Sequence, residues 1–284
     1  MQHIPRVGSR DLVVAFFRND DVNELTPELI VVSELLFAEG IPIIHAVEPG
    51  NITDACVDWL LEKKAQHGRL LEIMQHGYNH SKHYGGEFGG KRSYQEQYDD
   101  LRRGREILDR RFGDQWFPAV NFPYGPYNQA TMRAVDDLGY TVFNGHYNPR
   151  LSRRFFYVVG RLLGRGQLLN RHVSHHLEIY PGTHTFTIDM AISFIDRYHG
   201  NYGNNQCDWH KLADLMQRFE AAKRHIHAIG WLLHHRYHTT PASLKLVQDT
   251  ITAMRRSNPG IEFWNFEEIH AAYAPQAAAQ HKVG

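Results

Sequence analysis

The sequence has very little cysteine, no excess charge of either sign and no long apolar run. Cys56 and Cys207 are the only cysteines in 284 residues, which is too few to hold a domain of this size together by disulfides. Acidic and basic residues balance at 31 each, so there is no electrostatic reason to expect a nucleic-acid partner. No stretch approaches the roughly eighteen apolar residues of a membrane-spanning helix, and no apolar segment opens the chain. The sequence therefore predicts a cytoplasmic protein.

Strand and helix patterns alternate along the chain. Strand patterns occur at 12–17, 41–47, 70–74, 117–120, 141–143, 185–190, 228–233 and 261–264, with helix patterns at 26–40, 53–67, 93–112, 128–138, 208–224 and 241–256. Seven or eight such units predict an α/β fold in which helices cover parallel strands. No glycine-rich phosphate-binding fingerprint follows the first strand, which favours a closed or nearly closed barrel over an open sheet. We expect a single domain over 1–284, with an insertion at about 145–185.

Chemically reactive residues follow several of the predicted strands. In parallel barrels, functional sites lie at the carboxyl ends of the strands. The residues found at those positions are Asp20 and Asp21, His76 and His80, Tyr124, Asp189, and His234 with His235. Because they follow different strands of one barrel, we expect their side chains to share one site.

Two histidines and a carboxylate indicate a metal centre. His76 and His80 are four residues apart, so one helical turn would direct both imidazoles toward one point. Two imidazoles and a carboxylate, with positions left for water, are typical of a catalytic metal site, and these ligand types favour zinc among the divalent metals. The adjacent carboxylates Asp20 and Asp21 repel each other, and a bound metal or a transferred proton is the usual reason to keep such a pair.

These residues, in this order, resemble the motifs of the polysaccharide deacetylase (NodB-homology, carbohydrate esterase family 4) superfamily. The chain offers the paired aspartates Asp20-Asp21, the histidines His76 and His80, the segment Asn121-Phe122-Pro123-Tyr124-Gly125, and Leu232-Leu233-His234. The resemblance covers roughly residues 12 to 270. The His-Gly-Tyr-x-His spacing, with the later Glu87-Phe88, is similar to a divergent branch of the superfamily. The resemblance implies a distorted barrel of seven or eight β/α units, of the NodB type.

The resemblance also implies a ligand set and a base. Asp21, His76 and His80 would hold a divalent metal, with Zn²⁺ the first choice. Asp20 would be the general base, which takes a proton from the attacking water. Such an arrangement fits amide cleavage, which needs an activated water, a charge sink and an acid for the leaving nitrogen.

Three further positions receive roles from the resemblance. The backbone N–H of Tyr124 would stabilise the oxyanion together with the metal. His234 would protonate the leaving amine, and Leu232 would line the pocket for the acyl methyl group.

The chain departs from the family pattern in its third and fourth motifs. Asn121 stands where the family has an arginine that contacts the base, and Arg18 is a candidate to supply that charge. No acidic residue occupies 143–147, where the family has an aspartate that tunes the late histidine. Asp189 is the candidate substitute, and it is also a candidate for substrate contact.

The last motif and the loop after the histidines leave two further candidates. His234-His235 stands where the family usually has His-Asp, so the acid could be either histidine, and the other one is a candidate for substrate contact. Glu87 lies in a glycine-rich segment after His80, and loops of this kind often carry function. Glu87 is therefore a candidate for contact with substrate or with a metal-bound water, in a segment that we otherwise interpret as a loop at the mouth of the site.

The segment 150–176 alternates basic and apolar residues. One interpretation is a lid or an extra helix packed on the barrel, because long loops often cover active sites. The other is a patch that makes peripheral contact with a membrane surface. Gly160, Gly164 and Gly166 argue against a single rigid helix.

Together these features predict a metal-dependent hydrolase that removes an N-acyl group, acetyl or formyl, from an amino sugar of a glycan or glycolipid. Two alternatives stay open at the level of sequence. The same site could hydrolyse a small non-sugar amide or imide, or the barrel could be catalytically inactive and bind only sugar or metal.

Overall fold

The computed structural model describes residues 12–83, 85–147, 151–163, 175–199 and 206–281. Its strands are β1 (Val14–Val22), β2 (Ile43–Val47), β3 (Leu71–His76), β4 (Ala119–Asn121), β5 (Val142–Phe143), β6 (Glu178–Ile179), β7 (Phe186–Thr187), β8 (Met190–Ser193), β9 (Ile195–His199), β10 (Gln206–Trp209), β11 (Ala228–Leu233) and β12 (Glu262–Phe263). Its helices are α1 (Pro27–Ala38), α2 (Asp54–His67), α3 (Tyr94–Phe112), α4 (Gln129–Asp137), α5 (Leu151–Leu162), α6 (Leu212–Lys223), α7 (Pro241–Ser257) and α8 (Phe266–His281).

The helices begin at the capping residues that the sequence provides. Thr26 precedes α1, and its hydroxyl accepts a hydrogen bond from the backbone N–H of Leu29. Ser93 and Glu96 form a reciprocal capping box at the start of α3. These side chains satisfy backbone N–H groups that have no partner inside the helix. Helix starts are therefore fixed locally, and the helices can pack on the sheet as the strand–helix alternation predicts.

Most strands form one curled, largely parallel sheet. The order is β6-β7-β5-β4-β3-β2-β1-β11-β8, with β12 beside the start of β1, and the pairing of β6 with β7 is antiparallel. Strand β7 pairs with β5 near one end of this order, and β8 pairs with β11 at the other end. The extended segment between β7 and β8 therefore joins the two ends of the sheet, and we call this junction the seam of the barrel. Backbone hydrogen bonds join Met190 to Gly145 and Tyr147 across this seam. The prediction of a distorted α/β barrel of the NodB type is confirmed.

Strand alternation divides the apolar residues into two cores. Inside the barrel, Val14 and Phe16 of β1 pack with residues such as Ile44 and Met74, and α8 covers this end with Phe266. The alternate residues of each strand face outward and pack beneath the surrounding helices. Because apolar residues fill the lower barrel, the next inward positions toward the carboxyl ends of the strands are free for polar residues. The candidate site lies there.

The insertion contains α5 and the short hairpin of β6 and β7. Within the predicted bounds of 145–185, residues 148–150 and 164–174 lie outside the described part of the chain. Helix α5 continues through Gly160 and ends at Leu162, and Gly164 and Gly166, the other two glycines of the argument against one helix, lie outside the described residues. No helix within the described ranges is both long enough and apolar enough to span a membrane.

Candidate active site

Strand β1 continues through both aspartates, which the sequence analysis placed after the strand. The pairing register with β2 shifts between Asn19 and Val22, as at a β-bulge, and Asp21 has a φ of 62°. A bulge changes the direction of the side chains that follow it. Asp20 and Asp21 therefore both raise the pKa of His76, although the side chains of neighbours in a regular strand would point to opposite faces of the sheet.

The two candidate histidine ligands converge without the helical turn that their spacing suggested. His76 ends β3 and His80 lies in an irregular segment, where Gly77 and His80 have φ values of 54° and 60°. Both Nε2 atoms lie 3.2 Å from Oδ1 of Asp21. Ligand atoms bound about 2.1 Å from a tetrahedral metal are separated by roughly 3.4 Å. The donor set of two imidazoles and a carboxylate therefore fits a divalent metal, and its three ligand atoms lie within 4.8 Å of one another.

Asn121 fixes the imidazole of His76 from the opposite side. The amide oxygen of Asn121 can accept a hydrogen bond from Nδ1 of His76 in either orientation of the amide, at 2.9 or 3.0 Å. A proton on Nδ1 leaves the lone pair on Nε2, which faces Asp21. A partner on the second ring nitrogen is typical of metal-binding histidines.

Arg18 and Asp20 form a buried ion pair inside the barrel. Nε and Nη2 of Arg18 each donate to one carboxylate oxygen of Asp20, both at 2.7 Å. Burial opposes the charged form of Asp20, but Arg18, His76 and His234 outweigh it and lower the pKa of Asp20. Arg18 thus supplies Asp20 with a positive charge, which Asn121, standing where the family pattern has an arginine, does not carry.

The electrostatic environment of the histidine–aspartate cluster attracts a cation. Burial opposes charge on Asp21, but hydrogen bonds from His76 and His80 hold the pKa of Asp21 well below its usual value. Burial also disfavours a proton on His76, but Asp20 and Asp21 raise the pKa of His76 to about 9. The negative charge that stabilises a proton here would equally stabilise a metal cation.

Strand alternation separates the two late histidines. His234 follows β11 on the inward side, where the charges of Asp21 and Asp20 act on it, and its Nδ1 lies 3.1 Å from the hydroxyl of Tyr198. His235 is fully buried, and its backbone N–H donates to Oδ1 of Asn19 at 2.8 Å. Burial lowers the pKa of His235 to about 3. His234 is therefore the histidine at the site, and substrate contact by His235 does not fit its buried position.

Asn19 lies at the centre of a buried polar network behind the site. Its Nδ2 lies 3.2 Å from Nδ1 of both His45 and His235. Nε2 of His45 lies 3.1 Å from the hydroxyl of Ser33, which donates to the backbone of α1. This network ties β1 to β2, to α1 and to the segment that carries His234.

Glu87 is fully buried, so the expected contact with substrate does not fit its position. Its carboxylate accepts hydrogen bonds from the backbone N–H groups of Tyr78 and Asn79, at distances from 2.8 to 3.2 Å. A Cβ on Gly77 would lie only 1.9 Å from Oε2 of Glu87. Glu87 therefore holds the segment that places His80.

Tyr124 lies beside the proposed metal ligands, and Leu232 lies beneath them in the barrel. Tyr124 has a φ of 63°, its ring centroid lies 4.6 Å from that of His80, and its hydroxyl donates to the carbonyl of His80 at 3.2 Å. Leu232 is level with Arg18 in the pairing of β11 with β1 and packs on the interior apolar core. Leu232 thus lies one inward position before His234.

Asp189 lies within the extended segment between β7 and β8, rather than at the end of a strand. It is buried, and its Oδ1 accepts a hydrogen bond from the backbone N–H of Gly145 at 3.1 Å. Its charge also raises the pKa of Tyr180, together with the larger effect of burial. Asp189 therefore stands at the seam of the barrel.

Backbone strain is concentrated at the candidate site. Among the described residues, four non-glycine residues have positive φ, and three of them are Asp21, His80 and Tyr124; the fourth is Leu177. Such conformations are unfavourable for residues with a Cβ and cluster at functional sites. The fold therefore holds these three side chains in place against a local backbone preference.

Sequence reasoning missed two residues that contact the candidate site. Tyr198 belongs to the hairpin of β9 and β10, where no motif marked it. Asn19 directly precedes the paired aspartates but matches none of the motif positions. The hairpin approaches His234 only through tertiary packing, so no local pattern could reveal the contact of Tyr198.

Known proteins resemble the chain in sequence over its first half and in fold over most of its length. Residues 20–143 match the family model described as polysaccharide deacetylase. No curated protein sequence matches the chain. A candidate polysaccharide deacetylase from Mycobacterium smegmatis has a similar structure, with a TM-score of 0.66 and 14% identity over 96% of this chain and 93% of that one.

Two other solved structures are similar at lower TM-scores. A family 4 acetyl xylan esterase from Clostridium thermocellum, in complex with a cobalt ion, gives 0.53 at 12% identity over 91% of this chain and 90% of that one. A mutant with restored enzymatic activity of a CE4 family pseudoenzyme from Bacillus anthracis gives 0.51 at 13% identity, over 92% of this chain and 69% of that one. At these identities the similarity establishes a shared fold.

Proposed function

We propose that this chain, whose residues 20–143 match the polysaccharide deacetylase family model, is a metal-dependent hydrolase that removes an acetyl or formyl group from the nitrogen of an amino sugar in a glycan or glycolipid. One observation carries this proposal. The ligand atoms of Asp21, His76 and His80 converge within 4.8 Å, beside a carboxylate, Asp20, that is not part of that ligand set. A metal centre next to a separate base can supply the activated water and the charge stabilisation that hydrolysis of an amide needs.

Asp21, His76 and His80 would hold the metal. Zn²⁺ is the first choice for two imidazoles and one carboxylate with open positions. When bound, a divalent metal would polarise the acyl carbonyl and lower the pKa of the attacking water. The contact of Asn121 with Nδ1 of His76 would keep Nε2 of that ring available to it.

Asp20 would take a proton from the attacking water as the oxygen bonds to the acyl carbon. The Arg18 guanidinium orients the Asp20 carboxylate through two hydrogen bonds. It also keeps Asp20 ionised, because its charge helps to lower the pKa of that carboxyl against the effect of burial. The backbone N–H of Tyr124 is the proposed donor to the oxyanion that then forms.

His234 would give a proton to the sugar nitrogen as the carbon–nitrogen bond breaks. The products are a free amine and acetate or formate. Burial lowers the pKa of His234, which makes its imidazolium a readier donor, and Asp21 and Asp20 oppose this shift and keep the protonated form accessible. Leu232, one inward position before it, would contact the methyl group of an acetyl substrate.

Metal content and acyl release together test the proposal. We expect wild-type protein to hold about one divalent metal per chain by elemental analysis, and to release acetate or formate from at least one member of a panel of N-acylated amino sugars. The double variant His76→Ala/His80→Ala should lose both the metal and the activity. His184→Ala is the matched control, because His184 is fully exposed and pairs with Asp136 away from these ligands.

Two results would contradict the proposal. Full metal occupancy in the double variant would remove this ligand set from consideration. A metal-loaded wild-type protein that releases neither acid from the sugars would favour a barrel that only binds. Release from small non-sugar amides or imides alone would reassign the substrate class.

A further inference from the structure

The most exposed large apolar side chains of the described residues are concentrated in one short segment. Leu151, Phe155, Val158 and Leu162 of α5 are 79%, 72%, 54% and 81% exposed, and the adjoining Leu163 is 62% exposed. Soluble proteins seldom leave several large apolar side chains together in water, and such groups mark interaction surfaces. These five side chains therefore mark a candidate interaction surface, and the interpretation of the segment as a lid stays a prediction.

Four of these residues share one face of the helix. Leu151, Phe155, Val158 and Leu162 follow one another at intervals of four, three and four residues. Residues three and four apart lie on the same side of an α-helix. They form a continuous apolar stripe, roughly 18 Å long for a helix of 12 residues.

The sequence around this apolar stripe carries positive charge alone. No aspartate or glutamate occurs between Asp137 and Glu178, whereas six arginines do, at positions 150, 153, 154, 161, 165 and 171. Over the whole chain, acidic and basic residues balance. The local excess of arginine therefore complements a negatively charged partner.

We propose that the apolar stripe of α5 binds the surface of a lipid bilayer that contains anionic lipids. A helix that combines an apolar face with basic residues lies in the plane of such a surface, with the apolar face among the acyl chains and the basic groups near the headgroups. With 12 residues, α5 is shorter than the approximately 20 residues that a membrane-spanning helix needs, so it would lie on the surface rather than cross it.

A bilayer suits this surface better than a second copy of the chain. In a symmetric dimer the same patch would face itself, and the arginine-rich segments of both copies would repel each other. A bilayer with anionic headgroups offers apolar depth and negative charge at the same place. The segment also leaves the sheet after β5, whose carboxyl end lies at the same edge as Asp21 and His76.

Vesicle binding tests this proposal directly. We expect the full chain to cosediment with vesicles of phosphatidylcholine and phosphatidylglycerol, and to bind phosphatidylcholine alone more weakly. Added salt should weaken the binding, because it screens the arginine charges. Phe155→Ser/Leu162→Ser should lower the partition coefficient at least about a hundredfold, since each large apolar side chain contributes more than tenfold. Vesicle binding is measured without substrate, so it does not depend on the proposed hydrolase activity.

Val31→Ser is the matched control, because Val31 is an exposed apolar residue on α1, and it should bind as wild type does. Thermal unfolding of each variant checks that the fold is intact, and Phe155→Ser alone replaces the double variant if that variant unfolds. Two results would overturn the proposal: wild-type protein that ignores anionic vesicles, or a folded stripe variant that binds them equally well. Loss of dimers in the variant, without vesicle binding by wild type, would assign the stripe to a second copy of the chain.

Discussion

Asp20 and Asp21 are neighbours in sequence but contact different partners. Asp21 receives its shortest contacts from the two histidine rings, whereas Asp20 is held by the guanidinium of Arg18. The β-bulge between Asn19 and Val22 makes this division possible. This division agrees with the proposed roles, in which the first aspartate exchanges a proton and the second binds a cation.

Asp20→Asn should keep the metal and lose most of the turnover. The amide can still accept a hydrogen bond from Arg18 but cannot take a proton, so we expect a loss of roughly a hundred- to ten-thousandfold in kcat. Metal analysis and kinetics on the same preparation check both parts. Asp21→Asn is the companion variant and should lose the metal. A metal-free Asp20→Asn protein would mean that the roles of the two aspartates are exchanged.

Tyr198→Phe should lower kcat about three- to tenfold, with metal content and KM close to wild type. The hydroxyl of Tyr198 contacts Nδ1 of His234, and removal of one neutral hydrogen bond has about this effect on a rate. Steady-state kinetics with metal analysis provide the check. Tyr94→Phe removes a hydroxyl hydrogen bond to Asp137 far from the site and serves as control. Unchanged kcat in Tyr198→Phe would show that this hydroxyl does not position His234.

The choice between His234 and His235 was open in the sequence because β11 is apolar on both faces. Inward and outward residues of a strand alternate, so one of the two histidines had to face the interior. Gly230 is inward, since a Cβ there would lie 2.4 Å from Phe16, and His234 has the same parity. The residues at 228 and 230 are small, whereas those at 229, 231 and 233 are large. This alternation indicates which face of β11 points into the barrel, and sequence analysis could have used it.

At the level of elements, the segment after β3 is held by hydrogen bonds and close packing rather than by regular structure. The carboxylate of Glu87 satisfies two backbone N–H groups, and its approach to Gly77 leaves no space for a side chain there. A spacing of four residues suggested a helical turn, but the positive φ values of Gly77 and His80 exclude one. The convergence of the two histidines was predictable, whereas the conformation that achieves it was not.

Glu87→Ala should weaken metal binding about ten- to a hundredfold. The variant leaves the backbone N–H groups of Tyr78 and Asn79 without their acceptor, and supporting residues around metal ligands contribute to affinity on this scale. Competition with a chelator of known affinity gives the dissociation constant. Glu106→Ala removes a largely exposed glutamate on α3 and should leave the affinity unchanged. Equal affinities in both variants would show that Glu87 has no part in placing His80.

Strand and helix order could be predicted because each element carries its own signals, such as the threonine cap of α1 and the capping box of α3. Two features of the elements could not be predicted from the sequence. The continuation of β1 through Asp21 depends on pairing with β2, and the approach of Tyr198 depends on a contact between the hairpin and His234, which follows β11. Both arise from contacts between distant parts of the chain, which local patterns do not encode.

At the scale of the whole molecule, several histidines are buried in uncharged form. Burial lowers the pKa values of His45, His176 and His235 to about 3 and that of His238 to about 4. In the unfolded chain these groups titrate near 6.5. Below that pH the unfolded state binds more protons than the folded state, so the free energy of unfolding falls as the pH falls. Glu72 acts in the opposite direction, because burial raises its pKa to about 8.

We therefore expect stability to decrease on acidification from about pH 6.5, by up to about 1.4 kcal/mol per pH unit for each buried histidine. Urea denaturation over a pH series measures this slope. His45→Asn should reduce the slope by the contribution of one histidine, because His45 is fully buried. Val31→Ser, which changes an exposed residue that does not titrate, should leave it unchanged. Equal slopes in the two variants would exclude His45 as a source of the acid sensitivity.

The connectivity of the barrel has a consequence for the order in which the molecule assembles. The proposed metal ligands come from the first 80 residues, on β1, at the end of β3 and just after it, with only β2 between these strands in the sheet. On its other edge β1 pairs with β11, so that Asn19 meets His235 across 216 residues of chain. The entropy lost on closing a loop grows with its length, and distant contacts slow folding. We therefore expect the proposed cation ligands to come together earlier in folding than their neighbourhood with the late histidine, which needs the closure of the longer loop.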